Sequence, residues 1–154
     1  MKIQAPVRIQ HTYLQQYPEF PPEAVFPMLC PVMEAKWVPG WDAEMVLTQS
    51  GFVEPGCTFI TRQEGQASIW YTVRHDPVNL ELEFVKITPG VTACHIQIQV
   101  TPDGDGGSQA RVSYAHTALG PEGHVLVNAL TWDAYQEAMQ QWEKALNAYL
   151  ASLR

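Results

Sequence analysis

The residue best suited to chemistry in this sequence is His116, within the alternating segment Ala110–Leu119. The neighbouring even positions Val112 and Tyr114 are apolar or aromatic, so a strand here would turn the imidazole toward the protein interior. With an unperturbed pKa of about 6.5, an inward histidine could act as a general acid or base. The alternative is a pocket histidine that only hydrogen-bonds Tyr114 or a water molecule.

Other reactive patterns are weak. The loop Asp103–Gly107 resembles a calcium loop, but Tyr114 stands where a closing glutamate is required, so we interpret the loop as a hairpin. No Gly-x-Ser-x-Gly, His-x-x-x-His or Cys-x-x-Cys pattern occurs. We therefore expect no metal and no cofactor. The histidines are His11, His75, His95, His116 and His124.

Length and composition predict one domain over residues 1–154. Hydrophobic residues make up 46% of the chain, which is enough for a core, and the net charge of -7 argues against a nucleic-acid partner. No apolar stretch approaches the roughly 18 residues that a membrane span needs. Three widely spaced cysteines and the absence of a signal peptide favour a reducing, cytoplasmic location.

The middle of the chain alternates between turn signals and short strand patterns. Proline and glycine clusters recur between segments of 7–12 residues, which is typical of an antiparallel meander. In Thr92–Thr101 the even positions are apolar, and Leu80–Phe84 alternates with glutamates, so each strand should have one wet face. The Ile69–Arg74 segment is apolar on both faces, and its orientation stays open.

The N-terminal third reads as a strand, a short helix and a turn. Alternation over Val7–Tyr13 predicts the strand. Pro21-Pro22-Glu23 predicts the start of a short helix, and Pro31 ends that helix. Trp37 and Trp41 belong to the turn that leads to a strand over Glu44–Thr48. The two indoles could line a pocket mouth or only fasten the turn to the sheet.

The C-terminus predicts one long amphipathic helix over Thr131–Ser152. Thr131 can cap it and Asp133 suits its positive end. The helix would be about 33 Å long, similar to the width of a seven-stranded sheet. Apolar residues recur with helical spacing at Tyr135, Ala138, Met139, Trp142, Ala145, Leu146, Tyr149 and Leu153.

This order of elements resembles the START-like, or SRPBCC, helix-grip superfamily, which includes birch-pollen-allergen-like and polyketide cyclase/dehydrase-like proteins. The most specific match is Pro22–Val32 followed by Trp37–Trp41, and Trp142–Leu146 also matches in kind. The resemblance implies an α+β fold: a curved antiparallel sheet of six or seven strands around a long C-terminal helix, with two short helices after the first strand. It also implies a cavity for apolar small molecules such as lipids or polyketides. It supplies no catalytic residue.

Scarce inward charge and apolar inward faces favour a binding or carrier function for an apolar or aromatic small molecule. The first alternative is a cyclase, dehydratase or hydrolase in which His116 works with Tyr114 or Tyr71. The second is a protein-interaction or stress module. The oligomeric state stays open. The predicted pocket residues are Trp37, Trp41, Tyr71, Phe84, Tyr114, His116, Tyr135, Met139 and Trp142.

Overall fold

A computed structural model describes all residues from Met1 to Arg154. Its largest element is a seven-stranded sheet in which every neighbouring pair of strands is antiparallel. The strands are β1 (Arg8–Tyr17), β2 (Ala43–Leu47), β3 (Thr58–Gln63), β4 (Gln66–Asp76), β5 (Glu81–Thr88), β6 (Thr92–Pro102) and β7 (Ser108–Ala118).

The order of strands across the sheet is β1-β7-β6-β5-β4-β3-β2. Strands β2 to β7 therefore form a meander, and β1 is the edge strand that pairs with β7. The short strands and the proline and glycine turns explain this topology. Consecutive antiparallel strands can be joined by a short turn and need no crossover connection. The predicted antiparallel meander is confirmed.

Two short helices, α1 (Pro22–Val25) and α2 (Pro31–Glu34), follow β1, as the resemblance implied. A 3₁₀ turn, Phe26–Leu29, continues α1, and Cys30 is extended. Pro31 was predicted to end the first helix, and in the structure it also begins the second. Proline at the first position of a helix loses no hydrogen bond, because that N–H has no partner in the helix.

Helix α3 (Pro121–Ala129) was not predicted, although Pro121 supplies the same start signal. It contacts β7 and the turn between β5 and β6, where the Leu119 amide donates to the Val91 carbonyl. Gly123 allows this approach because a Cβ there would lie 1.9 Å from the Val91 oxygen. α3 thus covers one end of the sheet.

The long helix α4 (Trp132–Ser152) confirms the predicted C-terminal helix. The Thr131 hydroxyl accepts a hydrogen bond from the Ala134 amide and caps the helix start. The prediction of the apolar face was wrong at Ala138, which is exposed, and at Leu153, which is exposed beyond the last turn. The buried residues of the helix are Tyr135, Met139, Leu146 and Leu150.

The helices and the sheet enclose one hydrophobic core of 21 buried residues. None of the helices combines the length and apolarity required to cross a membrane. The inward faces of β6 and β7 follow the predicted even positions: Cys94, Ile96 and Ile98 are buried on β6, and Val112 is buried on β7.

Candidate ligand-binding pocket

A cavity of about 180 Å³ lies between the concave face of the sheet, the residues around α2, and α4. Nine of its ten lining residues are hydrophobic, so we name it the apolar compartment. It is lined by Glu34, Val38, Trp41, Phe59, Trp70, Phe84, Ile96, Ile98, Tyr114 and Trp142.

Strand pairing builds the aromatic wall of the apolar compartment. Phe59 of β3 is opposite Trp70 of β4, and their rings stack with centroids 5.2 Å apart. Phe84 meets both rings edge-on, at 5.8 and 5.9 Å. Stacked and edge-to-face pairs stabilise each other beyond the area they bury, so this wall is held in place.

The tryptophans of the predicted turn have both of the roles considered for them. Trp41 lines the compartment, and its indole N–H donates to the Pro31 carbonyl at 2.8 Å. Trp37 does not line it: the ring is buried behind Trp142 at 6.0 Å, and its N–H donates to Met28. Trp37 therefore supports the wall and Trp41 forms part of it.

Glu34 is the only acidic or basic residue among the ten that line the apolar compartment. It is half-buried, and no hydrogen bond connects its carboxyl group to another residue. Burial among apolar groups raises the pKa of Glu34 to about 8. At neutral pH the carboxyl group is therefore largely protonated, and it can donate a hydrogen bond to a ligand.

A second cavity, of about 500 Å³, lies nearer to α3. Only two of its eleven lining residues are hydrophobic, so we name it the polar compartment. It is lined by Gln63, Glu64, Gln66, Ser68, Lys86, Thr88, Val91, Thr92, His116, Glu122 and Leu126.

Lys86 extends from the concave face of β5 into this region. Its ammonium nitrogen lies 4.8 Å from the centroid of the Trp70 ring, a cation–π contact. Burial lowers the pKa of Lys86, and the lysine forms no ion pair with any acidic residue.

His116 also lines the polar compartment, and its ring lies 5.9 Å from that of Tyr114. Its Nδ1 atom is buried without a hydrogen-bond partner. Burial, followed by the charges of Lys86 and His11, lowers the pKa of His116 to about 4. The imidazole is therefore neutral at pH 7, and one of its nitrogens is free to bind a ligand.

The two compartments lie next to each other along the same strands of the sheet. On β5, Phe84 lines the apolar compartment and Lys86 lines the polar one; on β7, Tyr114 and His116 divide in the same way. Residues two apart on one face of a strand are separated by about 7 Å. The two compartments are therefore neighbours, and a ligand in one of them needs only one small functional group to reach the other.

The structure brings together four predicted residues in the apolar compartment: Trp41, Phe84, Tyr114 and Trp142. Tyr135 and Met139 lie in the core instead of lining the cavity. The Tyr135 hydroxyl donates to the Val112 carbonyl at 2.6 Å, and Met139 is buried beside Gln15.

Tyr71 was wrongly placed among the pocket residues. It is 53% exposed, on the outer face of β4 with Ile69 and Val73, whereas Trp70 and Thr72 point inward. An aromatic on the outer face cannot reach the cavity, because successive side chains of a strand point to opposite sides. The orientation left open for this segment is thereby resolved, and Tyr71 is removed as a proton donor.

Solved structures share this architecture over nearly the whole chain. Norcoclaurine synthase from Thalictrum flavum, a point mutant in complex with a transition-state analogue, superposes with a TM-score of 0.69 at 15% identity, covering 97% of this chain and 98% of that one. A START superfamily protein from Mycobacterium smegmatis gives 0.63 at 13%, covering 96% and 99%. Ara h 8.0201 gives 0.65 at 16%, covering 95% and 99%.

The protein has the START-like helix-grip fold. The fold predicted from the order of elements is therefore confirmed. No family model matches the sequence. No curated protein matches it either.

Within this START-like fold, sequence reasoning missed the two inward ionisable groups, Glu34 and Lys86, and the prediction of scarce inward charge was wrong. Lys86 continues the alternation Leu82, Phe84, Lys86, so a signal for it existed. Glu34 follows a proline start in a four-residue helix, which is too short to show a periodic face.

Proposed function

We propose that the protein binds a small molecule with an aromatic or apolar body in the apolar compartment. The observation that carries the proposal is an open cavity of about 180 Å³ with nine hydrophobic residues among ten. Apolar cavities of this kind tend to stay dry and accept apolar guests. Several indole and phenyl rings offer flat surfaces on which an aromatic body can stack.

Three polar groups are available to orient such a ligand. The Glu34 carboxyl and the Tyr114 hydroxyl line the compartment, and neither forms a hydrogen bond within the protein. The indole N–H of Trp142 is buried there without a partner. A buried donor without a partner costs about 1–3 kcal/mol, and a ligand acceptor would remove that cost.

The test uses 2-naphthylacetamide, a neutral aromatic probe, in isothermal titration calorimetry. Val38→Trp places an indole at the wall of the apolar compartment and should weaken probe binding at least about tenfold by occupying the space. Val78→Trp is the matched control, because it adds the same group to a residue that is 87% exposed. It should leave the affinity unchanged.

Equal affinity in the Val38→Trp variant and the wild type would refute the assignment of the ligand to this compartment. Ala118 is unsuitable as a blocking position, because its Cα lies 3.0 Å from the position that a Cβ on Gly123 would occupy. A tryptophan there would displace α3 as well as fill a pocket.

A second candidate function is acid–base catalysis on the bound molecule. It is favoured by the protonated, unpartnered Glu34 in the same compartment as Tyr114, since a carboxyl group with its pKa near the working pH is suited to proton transfer. Native mass spectrometry of protein from its own host would separate the candidates. A ligand that is bound unchanged supports carriage, and one that is converted on incubation supports catalysis.

The interaction-module alternative has an exposed apolar strip on the outer face in its favour, formed by Met45, Leu47, Ile69, Tyr71 and Val73. An open pocket lined by aromatic rings supports ligand binding more directly. We further propose that residues 1–154 act as one ligand-binding domain in the cytoplasm. The single core and the three free cysteines support this proposal.

A further inference from the structure

Lys86 is a half-buried cation without an anionic partner. The ion pairs of the protein involve Arg62, Arg74, His95 and Arg154, all with side chains at least 44% exposed, and none includes Lys86. Its ammonium nitrogen contacts the Trp70 ring. Charges that are withdrawn from water are normally paired or hydrogen-bonded, so this half-buried, unpaired lysine is suited to an anionic ligand in the cavity that it lines.

Other polar groups surround the same cavity. The buried Nδ1 of His116 lacks a partner. The hydroxyls of Ser68 and Thr88 bond each other at 2.7 Å, and Thr92 is buried beside them. Together these groups offer hydrogen-bond donors around the ammonium group, which is the arrangement that an oxyanion requires.

We propose that the polar compartment binds the carboxylate of a small acid whose apolar body fills the apolar compartment, with Lys86 and His116 as its principal donors. The inference rests on the proposed function, because the body of the ligand must occupy that neighbouring cavity. It narrows the ligand from any apolar molecule to an aromatic or alicyclic acid.

The charges around the compartment favour a singly charged group. Lys86 is the one cationic residue of the lining, whereas Glu64 and Glu122 lie on its exposed rim. Lys86 can neutralise the single charge of a carboxylate, whereas a dianionic phosphate would keep one excess negative charge and would be repelled more strongly by the two glutamates.

The spacing of the compartments sets the length of the ligand. The Lys86 ammonium nitrogen lies 4.8 Å from the centroid of the Trp70 ring, which belongs to the aromatic wall of the apolar compartment. An acid with its carboxylate on the ring or one or two carbons away spans this distance.

The test compares 2-naphthylacetate with 2-naphthylacetamide, which have the same body and differ in charge. In the wild type we expect the acid to bind about 10- to 100-fold more tightly than the amide, as for hydrogen bonds to charged groups. Lys86→Met should abolish this preference, because methionine has a similar length without the charge, and the affinity for the acid should therefore fall much more than the affinity for the amide.

Lys144→Met is the matched control, since it removes one positive charge from an exposed position on α4. It should keep the preference for the acid. His116→Phe should reduce the preference only in part, because Lys86 remains. Circular dichroism of each variant establishes that the fold is retained.

Equal affinity of the wild type for acid and amide would overturn the carboxylate proposal while the proposed function stands. A preference that survives in Lys86→Met at full size would also overturn it. Failure of both probes to bind would overturn the proposed function, and the carboxylate proposal with it.

Discussion

At the scale of single residues, Glu34 connects the pocket to the stability of the fold. Its folded-state pKa of about 8 lies above its ordinary value of 4.5. Between these values the folded protein keeps a proton that the unfolded chain has lost. Stability therefore decreases as the pH rises from about 4.5 to 8, by at most about 1.4 kcal/mol per pH unit.

Glu34→Gln should remove this pH dependence. The amide is neutral at every pH, so the free energy of unfolding of the variant should exceed that of the wild type by a margin that grows from pH 6.5 to 8. Urea denaturation at pH 6.5, 7.25 and 8 measures the difference. The exposed Glu137→Gln is the control, and an identical pH slope in both variants would contradict the buried, protonated state.

The protonation of His116 affects stability in a different pH range, so it does not disturb the measurement on Glu34. Its pKa is lowered from 6.5 to about 4, so the folded protein holds the neutral form that the unfolded chain loses first on acidification. The contribution of His116 to stability is complete above pH 6.5 and decreases as the pH falls toward 4. The two effects therefore separate at pH 6.5.

Sequence alternation predicted the inward orientation of His116 and Tyr114 correctly, yet it did not lead to Lys86 two positions beyond Phe84. The reason is physical: lysine usually reaches solvent with its long stem, so a lysine in a pattern reads as the end of the buried face. Its stem is covered here because Trp70 lies opposite it in the register of β4 and β5.

At the scale of elements, α3 is fixed by a close backbone approach. A Cβ on Gly123 would lie 1.9 Å from the Val91 oxygen and 3.0 Å from the Ala118 Cα. Both obstacles are backbone atoms, so rotation of a side chain cannot relieve them. The helix would have to move away from the end of the sheet where the polar compartment opens.

Gly123→Ala should therefore destabilise the protein by about 1–3 kcal/mol, as overpacking does. Helix propensity alone would predict the opposite sign, because alanine is better than glycine in a helix by about 1 kcal/mol. Chemical denaturation decides between them, with the exposed Asn128→Ala in the same helix as control. A more stable Gly123→Ala variant would show that the close approach is not maintained.

Element prediction succeeded where one period dominated. Strands β6 and β7 alternate strictly, and α4 repeats its apolar residues every three or four positions, so a single buried face followed from each pattern. Segment Ile69–Arg74 failed this test because Ile69, Tyr71 and Val73 form an apolar outer face opposite Trp70. Only pairing with Phe59 and Lys86 fixes which side is inside.

At the scale of the whole molecule, the three cysteines report on opening of the core. Cys30, Cys57 and Cys94 are free, and each is at most 3% exposed. They lie in different parts of the chain: after α1, before β3 and on β6. Burial raises the pKa of Cys94 to about 12 and also raises that of Cys57, so the reactive thiolate is scarce in the folded state.

Labelling of these thiols should therefore be slow and should follow unfolding of the whole domain. Under denaturing, non-reducing conditions mass spectrometry should find three reactive thiols. In native buffer iodoacetamide should modify all three at similar rates, because each needs the same cooperative opening. Saturation with 2-naphthylacetamide at 100 times its dissociation constant should slow all three about 100-fold, since the ligand binds only the folded state. Recovery of a single thiol in denaturant would reveal a disulfide, and one fast cysteine would reveal local opening beside it.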